Sequence, residues 1–166
     1  DFVIVDADDP YALELAPLAA QAGAKGVDNS AAFRMDVNVP LVVSEVNPGD
    51  IEQADKGIVA CPNCTTMILL VALGPLHEKF KIDRMVVSTY QSVSGAGQSG
   101  IDELENQWKT RGFDDDINTL IRASESPDAL HGGEVWPKAI AGNVIPLAGS
   151  IKESGYTSEE EKLIFE

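Results

Sequence analysis

The first sixty residues interleave short β-type runs with helix, and few folds accept that order. "FVIV" (2–5) reads as a buried strand, and "PYALELAPLAAQAG" (10–23) follows as a helix, with Pro10 suited to its first turn and Gly23 to its C-terminal cap. "AKGVD" (24–28), "PLVVSEV" (40–46) and "GIVAC" (57–61) read as further short strands. Strands separated by helix predict an α/β architecture built on a parallel, doubly wound sheet.

Beyond Cys64 the character changes. "TTMILLVALGPLHEKF" (65–80) is a mostly apolar helix in which Gly74-Pro75 invites a kink or a break. "DRMVVSTYQSVSG" (83–95) is rich in β-branched residues and is expected as a strand of a second sheet. "SGIDELENQWKTRG" (99–112) has the pattern of an amphipathic helix, and Phe113–Lys138 reads as loop and insertion. Near the end, Thr157 followed three residues later by Glu160 makes a capping box and starts a helix. The expected division is 1–63 for a nucleotide-type α/β domain and 64–166 for the first part of an α+β domain. The chain opens directly on an apolar run without Met, and its last helix meets no stop signal, so the sequence reads as an internal piece of a longer protein.

Bulk properties remove several classes of function. A formal net charge of −15 in 166 residues argues against nucleic acid or an anionic membrane as partner, since both would repel it. No apolar run approaches the length that spans a bilayer. Two cysteines are too few for a disulfide scaffold and suit a reducing cytoplasm.

Those two cysteines sit in "IVACPNCTTM" (58–67), and the residues alone leave four readings open. Cys61, Cys64 and His77 have the spacing of half a zinc finger, but the ligand due after His77 falls on Phe80, Lys81 and Ile82, so no metal is expected. A C-x-x-C between strand and helix also suits a redox disulfide, although here the second cysteine, not the first, abuts the helix. A cysteine that opens a helix faces the positive end of its dipole, which favours a thiolate nucleophile, with Thr65 and Thr66 as nearby donors. A plain buried cysteine is the fourth reading.

Four blocks taken together narrow the choice. "GIVACPNCTTM", "VVSTYQSVSGAG", "DNSAAFRMD" with "VPLVVSEVN", and "GNVIPLAGS" with "GYTSEEEK" resemble, in order and spacing, the aspartate-β-semialdehyde dehydrogenase family. The resemblance runs from about residue 24 to 166, and the "PNCTT" and "YQSVSG" blocks are its most specific words. It implies the end of a Rossmann-type NADP-binding domain followed by part of a catalytic and dimerisation domain, in the manner of glyceraldehyde-phosphate dehydrogenase. It implies NADPH-dependent reductive dephosphorylation of L-aspartyl 4-phosphate to aspartate semialdehyde, a step toward lysine, threonine, methionine and diaminopimelate, in a homodimer. By the same resemblance Cys64 is the nucleophile that carries a thioester, Asn63 helps hold the acyl oxygen, and Gln91 orients the substrate. Arg34 and Lys162 bind the phosphate, Glu159 takes the substrate's α-ammonium, and Ser94 and Gly95 touch the nicotinamide cofactor, NADP(H).

"GAGQSG" (95–100) mimics a dinucleotide fingerprint, with Asp114–Asp116 in place of the ribose acid, but that acid should close a second parallel strand and instead follows a helix. The acidic segment "DADDPYA" (6–12) stands where the family has a small glycine- and serine-rich loop, which places Asp6, Asp8 and Asp9 near an anionic cofactor unless the loop turns outward. Cys61 reads as a bystander, or as the partner of a reversible disulfide that would silence Cys64. His77 and His131 do not replace the family's catalytic histidine, which, with its carboxylate-binding arginine, is expected beyond Glu166; this chain alone is therefore expected to lack turnover. Two other classes remain as competitors: a non-catalytic relative acting as a binding partner, and a thiol redox protein.

Overall fold

A computed structural model describes residues 1–110 and 132–166. His131, Asp114–Asp116 and most of the expected loop at 113–138 lie outside the described residues. In chain order the regular elements are β1 (Phe2–Val5), α1 (Asp9–Gln21), β2 (Lys25–Asp28), β3 (Ile58–Ala60), α2 (Cys64–Phe80), α3 (Gly97–Thr110) and α4 (Ser158–Phe165), with 3-10 turns at Pro48–Gln53 and Val93–Ala96. Two compact units result, one of Asp1–Met85 with Ile151–Glu166 and one of Val86–Ser150.

The first unit is built on a three-stranded sheet in the order β1-β2-β3, every pairing parallel, with Phe2 opposite Lys25 and Gly26 opposite Ile58. Helix α1 makes the crossover between β1 and β2, as a parallel pair requires. Its sheet-facing residues are the fully buried Ala12 and Ala16, small enough to let the helix approach closely. They join Val5, Phe33, Val39, Ile58 and Ala60 in one apolar core. Gly57 enters β3 at φ +69°, a left-handed backbone that favours glycine, and a Cβ there would stand 3.2 Å from Ala20. β1 is not buried on both faces as its sequence suggests. Val5 is 4% exposed, but Phe2 and Ile4 are 82% and 79% exposed, because α1 covers one side of the strand.

Two expected strands are absent, each for an identifiable reason. "PLVVSEV" touches β3 through a single bridge, Leu41 to Ala60, and then turns. Asn47 drives the turn: its Oδ1 accepts from the Val43 N–H and its Nδ2 donates to the Leu41 carbonyl, so a side chain takes up groups that a neighbouring strand would have used. "DRMVVSTYQSVSG" forms no strand at all, and its Val86 and Tyr90 are 82% and 87% exposed. β-branched residues fit a pleated, half-buried surface, and among the described residues no strand pairs with this one to make it.

Helix α2 continues through Gly74-Pro75 without a break and ends at Lys81, which adopts φ 57° and donates its N–H to the His77 carbonyl. The expected kink does not break it. Among the described residues no helix is long and apolar enough to cross a membrane.

The second unit centres on α3. A 3-10 turn at Val93–Ala96 leads into the helix, and Gly100 lies so tightly beneath it that a Cβ would stand 2.7 Å from the Val93 carbonyl oxygen and 2.9 Å from Ala96 Cβ. This close approach accounts for the last glycine of "GAGQSG". The segment before it is not a strand, so the dinucleotide-fingerprint context is missing. Further along α3, Glu103 Oε2 accepts from the Val135 N–H, and Gln107 Oε1 accepts from those of Ile140 and Ala141.

Candidate active site

The CPNC turn joins the buried end of β3 to the start of α2, and its backbone is held at each peptide. Cys61 N–H donates to the Asp28 carbonyl at 2.8 Å, continuing the sheet by one residue. Cys61 carbonyl accepts from Arg34 Nε at 2.8 Å. Pro62 has no N–H to place and is fully buried. Asn63 N–H donates to Glu166 Oε2 at 2.6 Å.

Asn63 does three further things. Its side-chain Oδ1 accepts from the Thr65 N–H at 2.9 Å, the N-cap bond that begins α2. Its Nδ2 donates to Glu159 Oε2 at 3.1 Å. Its carbonyl takes the first helical bond, from Met67 N–H. With these partners it is 6% exposed, whereas Cys64, the next residue, is exposed to solvent. Its thiol lies 4.0 Å from Thr65 Oγ1. Thr66 Oγ1 is buried and finds no partner among the described residues.

The two cysteines are chemically unlike. Burial pushes the Cys61 thiol up from its ordinary value, the Asp28 carboxylate adds to this, and Arg34 opposes it. Cys61 is half-buried, and Cys64 is the thiol open to solvent. Both are free.

Arg34 reaches the turn because the loop after β2 is stapled to itself. Asp28, fully buried, accepts from the Ser30 N–H and hydroxyl, and Ser30 in turn accepts from the Ala32 N–H. Besides Cys61, the Arg34 guanidinium donates to the Asn29 carbonyl at 2.9 Å and pairs with Glu166 at 3.3 Å. The side chains of Arg34 and Glu166 are 8% and 5% exposed. The acidic segment serves the same loop: Asp6 accepts from Asn29 Nδ2, and Asp9, at the start of α1, accepts from the Ala31 N–H.

Helix α4 supplies the opposite wall. Its capping box is complete, with Thr157 Oγ1 accepting from the Glu160 N–H and Glu160 Oε2 accepting from that of Thr157. Glu159, Lys162 and Glu166 stand at i, i+3 and i+7, one stripe of the helix. Glu159 and Lys162 form an ion pair at 2.5 Å with side chains 20% and 30% exposed.

Five expected site residues thus lie together in the first unit: Arg34, Asn63, Cys64, Glu159 and Lys162. Gln91, Ser94 and Gly95 belong to the second unit. There Ser92 Oγ accepts from the Ser94 N–H and hydroxyl, and Gln91 is exposed just ahead of that turn. Glu166 is the residue that the sequence reading passed over. Its signal was the seven-residue interval from Glu159, which returns a helix to the same face. Among the described residues no group of three His, Cys, Asp or Glu side chains is arranged to hold a metal ion.

The chain has counterparts among known proteins. The model of the semialdehyde dehydrogenase dimerisation domain matches residues 73–166, and that of the semialdehyde dehydrogenase NAD-binding domain matches residues 1–54. The chain belongs to the semialdehyde dehydrogenase family, a family of enzymes, and carries its α/β nucleotide-binding and dimerisation folds. Within that family it is similar to aspartate-semialdehyde dehydrogenases. It is 42% identical to the enzyme of Aquifex aeolicus over 100% of this chain and 45% of the relative. It is 45% identical to that of Streptomyces akiyoshiensis over 98% of this chain and 48% of the relative. The crystal structure of aspartate semialdehyde dehydrogenase II from Vibrio cholerae superposes with a TM-score of 0.83 at 38% identity, covering 98% of this chain and 45% of that one. The chain spans about half the length of the relatives it matches.

Proposed function

We propose that the protein to which these residues belong is an aspartate-semialdehyde dehydrogenase that reductively dephosphorylates L-aspartyl 4-phosphate with NADPH. The observation that carries this reading is the exposed Cys64 at the head of α2, beside an Asn63 fixed from both sides, with Arg34, Glu159 and Lys162 in the same unit. A thiolate at Cys64 attacks the acyl carbon, the S–C bond forms as the C–O bond to phosphate breaks, and inorganic phosphate leaves from a thioester. Asn63, through the amide hydrogen not given to Glu159, steadies the acyl oxygen in this reading.

Charge bookkeeping favours a substrate with both signs. Glu159 and Lys162 neutralise one another in the absence of substrate and are partly exposed. An amino acid phosphate exchanges that pair for two others, its ammonium on Glu159 and its phosphate on Lys162, so neither charge is left unpaired. Arg34, whose guanidinium is already engaged by the Cys61 and Asn29 carbonyls and by Glu166, is assigned to the phosphate as a second cation acting by its charge.

We assign cofactor contact to Ser94 and Gly95. A Cβ at Gly95 or Gly97 would meet nothing within 4 Å, so the backbone there is open to an approaching group. When bound, NADPH supplies the hydride that reduces the acyl group to the aldehyde. Gln91, just ahead of the same turn, orients the substrate. The division at 1–63 and 64–166, assembly as a homodimer, a cytoplasmic site of action and a place in lysine, threonine, methionine and diaminopimelate synthesis complete the reading. One solved neighbour is a Vibrio cholerae enzyme complexed with ASA, in keeping with that substrate class.

The test is NADP-dependent oxidation of aspartate semialdehyde in the presence of phosphate, using the full-length protein as wild type, Cys64→Ala and Cys61→Ala. Activity lost with Cys64 and kept without Cys61 is the expected result. Dependence on both thiols would instead favour redox chemistry, and an inactive, folded wild type would remove the dehydrogenase reading.

A further inference from the structure

We infer that Glu166 is a positioning residue for Cys64: from α4 its carboxylate holds the turn that presents the thiol. The inference rests on the reading of Cys64 as nucleophile but adds a residue to which that reading gives no part. Among the peptides of the turn, Cys61 N–H belongs to the sheet through Asp28 and Pro62 has no N–H. Asn63 N–H lies ahead of α2 and has no helical carbonyl to reach, so it needs a partner from elsewhere. Glu166 Oε2 is that partner, at 2.6 Å, from a side chain 5% exposed.

The same carboxylate reaches the other end of the turn through Arg34. Arg34 Nη1 lies 3.5 and 3.3 Å from the two Glu166 oxygens, while its Nε holds the Cys61 carbonyl at 2.8 Å. Residues 61–63 are therefore gripped on both sides of Pro62, and Cys64 is the first residue released into the helix. A carboxylate that served only as counter-ion to Arg34 would make its short contact there. Here the short contact is to Asn63 and the looser one to Arg34. Misplacing a nucleophile by about 1 Å is enough to lower turnover roughly 100-fold, so a loosened turn is expected to act on kcat.

The experiment uses the full-length protein with Glu166→Ala, Glu166→Gln and Glu166→Asp. Hydrogen–deuterium exchange is read on the peptide spanning 61–67, and kcat and KM are referred to titrated Cys64 thiol. Glu166→Ala is expected to speed exchange in that peptide and to lower kcat by about 10- to 100-fold, with KM for aspartate semialdehyde changing less than about threefold. Gln retains an oxygen for the Asn63 N–H and is expected to restore most of both. Asp keeps the charge but is a methylene too short, so it is expected to behave like Ala, and it carries the test if the Ala variant does not fold. Unchanged exchange in Ala and Asp would overturn the inference, as would faster exchange with kcat unmoved. A Gln variant as impaired as Ala would assign the effect to the charge on Arg34 and also overturn it. If the wild type shows no activity on aspartate semialdehyde, the dehydrogenase reading fails by itself, and the exchange rates alone decide whether Glu166 holds the turn.

Discussion

The two compact units satisfy their backbones by different means. In the first, strands pair with strands, and the apolar core of Val5, Ala12, Ala16, Ile58 and Ala60 lies beneath them. In the second, α3 takes up the backbone with its own side chains: Glu103 receives the Val135 N–H, and Gln107 receives two more, from Ile140 and Ala141. A sheet shares its bonds among many peptides. A helix acting as surrogate concentrates them on a few long polar residues, each of which matters more. The first unit borrows the second method at the CPNC turn, where Arg34, Asn63 and Glu166 replace the ladder that ends at Ala60.

The sharpest way to break that borrowed arrangement is Arg34→Met. It leaves the Glu166 carboxylate, 5% exposed, without its counter-ion, and unfolding free energy is expected to fall by about 3–5 kcal/mol, measured by urea denaturation. In the second unit the corresponding weak point is steric. Gly100→Ala forces a Cβ to within 2.7 Å of the Val93 carbonyl oxygen, and the expected loss is about 1–3 kcal/mol by the same measurement. The smallest effect is at α4, where Thr157→Ala removes the acceptor for Glu160 N–H and costs about 0.5–2 kcal/mol at pH 7.

Glu160 gives that last comparison a pH dependence. The Thr157 backbone N–H, and then its hydroxyl, hold the Glu160 carboxyl below its ordinary value of 4.5. A group lowered in the folded state contributes stability above its unfolded value and loses it as pH falls through the folded one. Glu160→Gln is therefore expected to lie below wild type in thermal midpoint at pH 7 and to converge on it as the pH is taken well below 4.5.

Much of the first unit was legible because its signals agree. β1, α1, β2 and β3 each combine apolar residues with a flanking glycine, proline or acid, and the capping box at Thr157 named the start of α4. "VPLVVSEVN" misled because the residue that decides its shape, Asn47, follows the apolar run and works through a side-chain bond that no hydrophobic pattern records. Residues 83–95 misled because β propensity describes a surface to be shared, and no strand among the described residues shares it. In the site, Cys64 could be singled out from its place at the start of a helix, whereas Asn63 came in only through the family resemblance. Glu166 could have been found only by carrying the helical period on from Glu159, and Arg34 by knowing that the loop after β2 turns back to β3.

The bond between Asn63 and Glu166 joins residues 103 positions apart, and the one between Arg34 and Glu166 joins residues 132 apart. At a synthesis rate of about 5–20 residues per second, those 103 positions place the clamp about 5–20 s behind the turn it holds. The strands and α2 are by then available to fold, and the thiol has already been made. On the ribosome, then, the reactive group precedes its restraint, and a helix synthesised well after it turns a reactive cysteine into an ordered one.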